Sequence, residues 1–430
     1  MAIRIGYLTP EFPGQTHTFI WRERQFIMED GFEIDLVSTR KPPERIISQS
    51  WAKEAQALTT YLLPLTLEDA KGMVGEILRA GPLGWLRCLK SIACAKGVSL
   101  PQRLRLVVVA VLASKLAWLA RKQGWSHVHV HSCAEAAHIA MFASRLSGIT
   151  YSLALLGPTL EQYGPNQEYK WKHAAFGLVI SKLLYKHVKK VLAGYLPPQV
   201  EFAVMAVDTA AFQRTKPYEF WNGQRPFKVY SCGRLNPVKG HRYLIQAVAQ
   251  LRRQGLDVQL QIAGEDEKGG TGYRKKIEQL IKEESLEAHV ELLGAVSEEQ
   301  HRHYLETADL FAMGSLNEGI SVAAMEAMAL EMPVVMTRVG GMHELIDSGV
   351  NGVLVEPQQP DNLAQAIAQI MQDEAFALQL SRNARQKVVE QFDSRLGAEV
   401  LRRNLEIVMN DKFSSFEVET LIVPKVDASY

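Results

Sequence analysis

Short apolar runs with strand character alternate with helix-patterned segments along almost the whole chain, and the alternation runs twice. Ile3–Leu8, Glu33–Ser38, His127–His131, Thr150–Leu156 and Leu178–Ser181 read as strands in the first series. Phe227–Cys232, Val258–Ala263, Val290–Leu293, Leu310–Met313 and Val334–Thr337 read as strands in the second. Helical spacing fills the gaps, as in Arg242–Arg253, where Leu244, Val248 and Leu251 share a face and Gly255 supplies a stop. Several strands are short unbroken apolar runs, which suits parallel sheets covered on both faces. With 430 residues, the chain has material for two α/β units of about 200 residues, each with its own core. The series are separated by Met205–Pro226, rich in Pro, Gly and aromatic residues. This predicts a doubly wound domain over 1–204, a linker over 205–226, a second doubly wound domain over 227–394, a helix over 395–412 and a polar tail over 413–430. Such a pair makes a cleft at the carboxyl ends of both sheets, where ligands of this architecture bind.

Composition narrows the function. Lys and Arg total 48 against 47 Asp and Glu, which argues against a nucleic-acid binder. The longest apolar stretch, Leu104–Ala120, is broken by Arg105 and Lys115, so no membrane span is expected. The first residues alternate like a strand and lack the apolar block of a signal peptide. Cys88, Cys94, Cys133 and Cys232 are scattered, without metal or disulfide spacing. A cytosolic protein is expected. Its charge is uneven, however: no Asp or Glu occurs between Glu76 and Glu135, where nine Lys and Arg are interleaved with Leu, Val, Ile and Trp.

Two segments could carry chemistry. Ser231-Cys232-Gly233-Arg234-Leu235-Asn236-Pro237-Val238-Lys239-Gly240 lies between a strand and a helix. Gly233 permits a tight exit, and Arg234 and Lys239 offer two cations where helix-start amides also point, a combination suited to a diphosphate. The bland alternative is a pair of solvated surface cations. Asn317–Ala329 carries Glu318 in a turn and Glu326 inside a helix that should begin near Ser321. Gly319 allows close backbone approach, and the amides of Gly319, Ile320, Ser321 and Val322 can meet phosphate oxygens. Its bland alternative is that both acids only complement the helix dipole.

These segments are followed in order by Pro333-Val334-Val335, Gly340-Gly341-Met342-His343-Glu344-Leu345-Ile346 and Asn351-Gly352-Val353-Leu354-Val355. Lys239-Gly240 with Leu244-Ile245-Gln246-Ala247, and Ala308-Asp309-Leu310, fit the same series. Together they resemble glycosyltransferase family 4, the retaining nucleotide-sugar transferases of GT-B fold, densely from Tyr230 to Pro357 and more thinly over 1–200. The resemblance implies two Rossmann-like domains facing across a cleft, with a C-terminal helix crossing back to the first. It assigns Arg234 and Lys239 to the donor diphosphate, Glu318 to the donor sugar and Glu326 to the ribose. Gly233, Gly319, Ile320 and Ser321 would meet sugar and phosphates, and Val296 in Gly294-Ala295-Val296-Ser297 the base. Phe12–Ile20 resembles the first-strand loop of a branch that builds exopolysaccharides and lipid-linked saccharides, with Gly14 near the phosphates.

The implied activity is retaining transfer of a sugar from a nucleotide donor to a glycan or lipid-linked acceptor, with no metal and no cofactor. Two departures stand out. Where the family commonly has a His after a first-domain strand, this chain has Leu156 in Ser152–Gly157. His17 and Thr159 are the nearest polar substitutes. Met205-Ala206-Val207-Asp208 replaces the usual Asn-Gly of the linker. A non-catalytic subunit that binds a nucleoside diphosphate is the rival reading. A phosphorylase of the same fold would need a lysine-bound pyridoxal group.

Other signals point elsewhere. His127, His129 and His131 alternate on one strand face with no nearby carboxylate expected, which favours a buried or cleft-edge strand over a metal site. Glu265-Asp266-Glu267 reads as a solvated loop, and Gly269-Gly270-Thr271-Gly272 does not fit a dinucleotide fingerprint. The acid-free interval, taken as 77–134, either settles on an anionic membrane surface with Trp85, Trp118 and Trp125 at headgroup depth, or forms ordinary outer helices. Membrane settling would make the chain peripheral on the cytoplasmic face.

Overall fold

A computed structural model describes residues 3–14, 17–42, 50–157, 159–204, 206–266 and 272–420, with backbone alone from 411. Gln15, Thr16, Met205, Glu267, Gly269, Gly270 and Thr271, from motifs named above, lie outside the described residues, as does 421–430 of the expected tail.

The first sheet holds seven strands: β1 (Ile3–Glu11), β2 (Phe32–Arg40), β3 (Thr59–Leu63), β4 (His127–Val130), β5 (Thr150–Leu155), β6 (Phe176–Val179) and β7 (Gln199–Phe202). The second holds six: β8 (Phe227–Cys232), β9 (Val258–Ala263), β10 (Val290–Gly294), β11 (Leu310–Met313), β12 (Val334–Thr337) and β13 (Val353–Val355). Helices α1 (Thr18–Glu29), α2 (Ala52–Leu58), α3 (Leu67–Ala93), α4 (Leu100–Gln123), α5 (Glu135–Ser147), α6 (Gln167–Lys172) and α7 (Lys182–Val191) cover the first sheet. Around the second lie α8 (His241–Arg253), α9 (Tyr273–Glu283), α10 (Glu298–Thr307), α11 (Val322–Ala329), α12 (Met342–Leu345), α13 (Pro360–Gln372) and α14 (Glu374–Gln391); α15 (Ser394–Thr420) ends the described chain.

The orders are β3-β2-β1-β4-β5-β6-β7 and β10-β9-β8-β11-β12-β13, with parallel pairing throughout. In each sheet the order reverses once, between β1 and β4 and between β8 and β11, and the crevice at such a reversal is where α/β sheets receive ligands. Strands β4, β6, β11 and β12 are buried at every residue because helices cover both faces, which is why they read as continuous apolar runs. The strands β3, β7 and β13, absent from the sequence reading, are all sheet edges. Short and half-buried, they lack the apolar continuity that marks central strands.

After α14 the chain returns to the first lobe. Val207 and Asp393 bridge, Val207 N–H donates to the Phe392 carbonyl at 3.1 Å, and Ser394 N–H donates to the Val207 carbonyl at 2.9 Å. Helix α15 then buries Ala398, Leu401 and Leu405 against Ile5, Ile20, Trp21 and Ile27. It runs to Thr420, past the expected end at 412, because no Gly or Pro interrupts it there.

At the carboxyl edge of the second sheet, neighbouring turns touch backbone to backbone. Gly240 has φ +62°, and a Cβ there would lie 1.8 Å from the Gly314 carbonyl oxygen. Gly340 has φ +51°, and its Cβ would lie 1.7 Å from the Glu318 carbonyl oxygen. Gly349 also has positive φ, +81°, but open space around it. Gly349→Ala therefore carries only the left-handed backbone cost, about 1 kcal/mol. Gly340→Ala must also push the turn off Glu318, so its melting temperature falls several degrees below that of Gly349→Ala. Equal melting of the two variants would show that the turn yields freely.

Candidate active site

Both lobes line one cleft of about 580 Å³. The second lobe contributes Gly233, Arg234 and Lys239 after β8, Val296 after β10, and Glu318, Gly319, Ile320, Ser321 and Glu326 around the start of α11. Gly14 is the one proposed site residue that does not line it. It is buried instead, its carbonyl accepting from His17 N–H at 3.2 Å, and a Cβ on it would meet the His17 ring at 3.0 Å. His17 is the part of that loop that reaches the cleft.

Each turn is shaped by local bonds. The Asn236 side chain accepts from Lys239 N–H at 3.1 Å, curling the chain so that Lys239 returns toward the strand end. His241, at the start of α8, donates from Nε2 to the Arg234 carbonyl at 3.2 Å. Burial pushes its pKa down to about 4, so near neutral pH it supports that turn as an uncharged ring. Lys239 Nζ donates to Glu318 Oε1 at 2.7 Å, and Ser315 Oγ donates to the same oxygen at 2.7 Å. Ser321 caps α11, accepting from Ala324 N–H at 3.3 Å. The preceding amides of that first turn have no partner within the helix and lie at the cleft wall.

His301 was not singled out in the sequence. It sits on α10, buried, with Nε2 against Glu326 Oε2 at 3.1 Å and Nδ1 against the Tyr230 hydroxyl at 2.8 Å. Burial opposes charge on this ring, yet Cys232 and Glu326 outweigh it and its pKa is raised. The Nε2 contact holds the Glu326 carboxylate in place. The only sequence hint was a His four residues beyond the helix-capping Ser297, which is no signal without the fold.

The first lobe presents His17, His131, Leu156, Gly157, Gln162 and Tyr163. Leu156 is thus a cleft residue, and Thr159 is not. Burial, with His131 and Arg234 adding, lowers the His17 pKa to about 4, so this ring faces the cleft neutral. The three alternating histidines are buried. His127 binds Thr150 and Ser152, His129 Nδ1 binds Ser152 at 2.7 Å, and His131 Nε2 binds Glu23 at 2.8 Å. Among the described residues, Glu23, His129 and His131 form the only group placed to hold a metal, their donor atoms within 4.8 Å of one another. The acidic loop after β9 is not simply solvated: Asp266 accepts from Arg274 N–H at 2.9 Å and Glu265 pairs with the Arg274 side chain at 2.8 Å.

Contacts beside the cleft join the lobes. Arg22 of α1 pairs with Glu298 at the start of α10. Glu344 of α12 accepts from Lys182 N–H at 2.8 Å and Leu183 N–H at 2.9 Å, capping α7 of the other lobe.

Comparison with known proteins agrees with this architecture. The family described as glycosyl transferases group 1 matches residues 217–387. An Escherichia coli protein named "Putative colanic acid biosynthesis glycosyltransferase WcaL" is 24% identical over 408 residues, covering 92% of this chain and 97% of that protein. The amylovoran biosynthesis glycosyltransferase AmsK of Erwinia amylovora is 32% identical over 189 residues, 42% of this chain and 45% of that one. Among solved structures, the Anabaena protein Alr3699/HepE in complex with UDP-glucose superposes with a TM-score of 0.70 at 19% identity, covering 94% of this chain and 99% of that one. The chain has the GT-B fold, and its residues 217–387 match the group 1 glycosyl transferase family.

Proposed function

We propose that this chain transfers a sugar from a nucleoside-diphosphate sugar to a glycan or lipid-linked acceptor in polysaccharide or glycolipid biosynthesis, with retention at the anomeric carbon, on the cytoplasmic face of a membrane. The observation that carries this reading is the convergence of Arg234, Lys239, Glu318 and Glu326 with the first turn of α11 in one cleft. Similarity to proteins named for colanic acid and amylovoran biosynthesis supports the polysaccharide assignment.

As the bond from the anomeric carbon to phosphate breaks, negative charge gathers on phosphate oxygen. Arg234, Lys239 and the α11 amides would stabilise it, each fixed donor contributing about 2–4 kcal/mol. Those positive groups do the work for which other enzymes recruit a divalent ion, so the reading requires no metal. Lys239 is paired with Glu318. An arriving diphosphate competes for the ammonium and frees that carboxylate for sugar hydroxyls. The acceptor hydroxyl enters from the first lobe, on the face the diphosphate leaves, and no side chain is assigned as nucleophile. Glu326, held by His301, grips the ribose, while Gly233, Gly319, Ile320 and Ser321 line the sugar and phosphate path and Val296 the base. On the first lobe, His17 supplies the donor-sugar contact that Leu156 lacks.

The rival reading, a nucleotide-binding subunit without turnover, draws on Leu156, an apolar side chain in the cleft wall. Slow hydrolysis of the bound donor sugar separates the two, since a dead site releases none.

Arg234→Ala slows turnover at saturating donor by at least about a hundredfold, the scale of one lost charged donor. An unchanged kcat would remove this assignment. His301→Ala acts on binding alone, raising the donor KM about tenfold with kcat nearly intact, because one carboxylate contact loosens. A selective fall in kcat would instead place His301 in the chemical step.

A further inference from the structure

Exposed large apolar side chains are unevenly spread: among the described residues, more than half lie between Leu65 and Val111. Helix α3 turns back on itself at Gly81, φ +58°, and beyond it exposes Leu83, Leu86 and Leu89. The first half of α4 exposes Leu100, Leu104 and Val108, and all six are at least 50% exposed. The inner sides of the same stretches already bury Cys88, Ile92, Leu106 and Val109 in the core. A helix of a water-soluble domain carries polar residues outside, so the outer leucines have no role in folding.

The two stretches are fastened together, for the Arg103 guanidinium donates to the Ala93 carbonyl at 2.7 Å and the Ala95 carbonyl at 2.9 Å. Arg87 and Lys90 border the leucines on α3 and are exposed, and no acid occurs between Glu76 and Glu135. Position adds a further constraint. Helix α4 delivers the chain to the amino edge of the sheet, where Ser126 N–H donates to the Arg4 carbonyl at 2.8 Å. Its leucine-bearing start therefore lies about 36 Å away, at the carboxyl edge where the cleft opens. There Asn166 N–H donates to the Lys96 carbonyl at 3.1 Å, just after Gln162 and Tyr163 of the cleft wall.

We infer that the α3–α4 face seats the first lobe on an anionic lipid bilayer, with the leucines in the headgroup–acyl boundary and Arg87 and Lys90 against lipid phosphates, so that a lipid-linked acceptor enters the cleft beside Tyr163. Only the delivery of the acceptor rests on the glycosyl-transfer reading. No helix among the described residues is long and apolar enough to cross a membrane, so the contact is peripheral. A second copy of the chain fits this face poorly, because a symmetric pairing would set like charges together. The tryptophans do not serve as anchors. Trp125 is buried with Nε1 donating to Asp35 at 2.6 Å, Trp118 packs over Gly72, and Trp85 Nε1 donates to the Ile77 carbonyl at 3.3 Å.

The test is co-sedimentation of the full chain with phosphatidylcholine vesicles, with and without phosphatidylglycerol. The protein pellets with the anionic vesicles only, and added salt weakens binding. The triple variant Leu86→Ser, Leu104→Ser, Val108→Ser and the double variant Arg87→Glu, Lys90→Glu each bind at least about tenfold more weakly. Both keep the melting temperature and the thermal shift produced by a nucleoside diphosphate, which reads the cleft separately from the membrane. Failure of the wild type to pellet with anionic vesicles overturns the inference. So does self-association that the leucine variants abolish without any lipid binding, which would give the face to a second copy.

Discussion

The second lobe is organised by backbone touching backbone. Gly240 lies against Gly314, and Gly340 against Glu318, at distances that leave no room for a side chain. These contacts draw the turns after β8, β11 and β12 into one rim. Lys239 thereby reaches Glu318 at 2.7 Å, although the two residues are 79 positions apart. A carboxylate and an ammonium so placed, with Ser315 sharing the carboxylate, hold each other in position until an anionic ligand competes for the cation.

The rim faces a lobe of a different temper. Where the second lobe offers Arg234, Lys239 and helix amides, the first offers the uncharged His17 ring, Tyr163 and the apolar Leu156, with Glu11 and Arg22 as its charged groups. The lobes are held at this spacing by the Arg22–Glu298 pair, by Glu344 at the start of α7, and by α15 lying back across α1. Most of these links are polar and near the surface, so they can release and re-form as ligands come and go.

Much of this was legible beforehand, and the exceptions have physical causes. Leu310–Met313 and Val334–Thr337 were read to the residue because central strands covered on both faces are apolar throughout, and Phe227–Cys232 and Val258–Ala263 because apolar residues recur along them between turn signals. Edge strands such as Gln199–Phe202 need only partial cover, so they left no such trace. Glu318 could be placed in the turn before a helix, and Glu326 inside that helix, from the local pattern. His301 could not, since its partners Tyr230 and Glu326 lie on β8 and α11 and meet it only after folding. Gly14 was placed near the phosphates from the resemblance, while its packing against the His17 ring could be seen only in the fold. The acid-free interval was visible as composition, while the choice of leucine over tryptophan for its outer face depended on which residues the core claimed.

The amino-acid order by itself determined two parallel α/β lobes and a cationic turn followed by an acidic helix start, because periodicity and local spacing are properties of consecutive residues. Tertiary structure alone decided which of those groups share a cleft, which carboxylate each cation meets, and which helix faces remain bare. Such relations depend on distances between residues far apart in the chain, and those distances exist only once the turns at the sheet edges have packed.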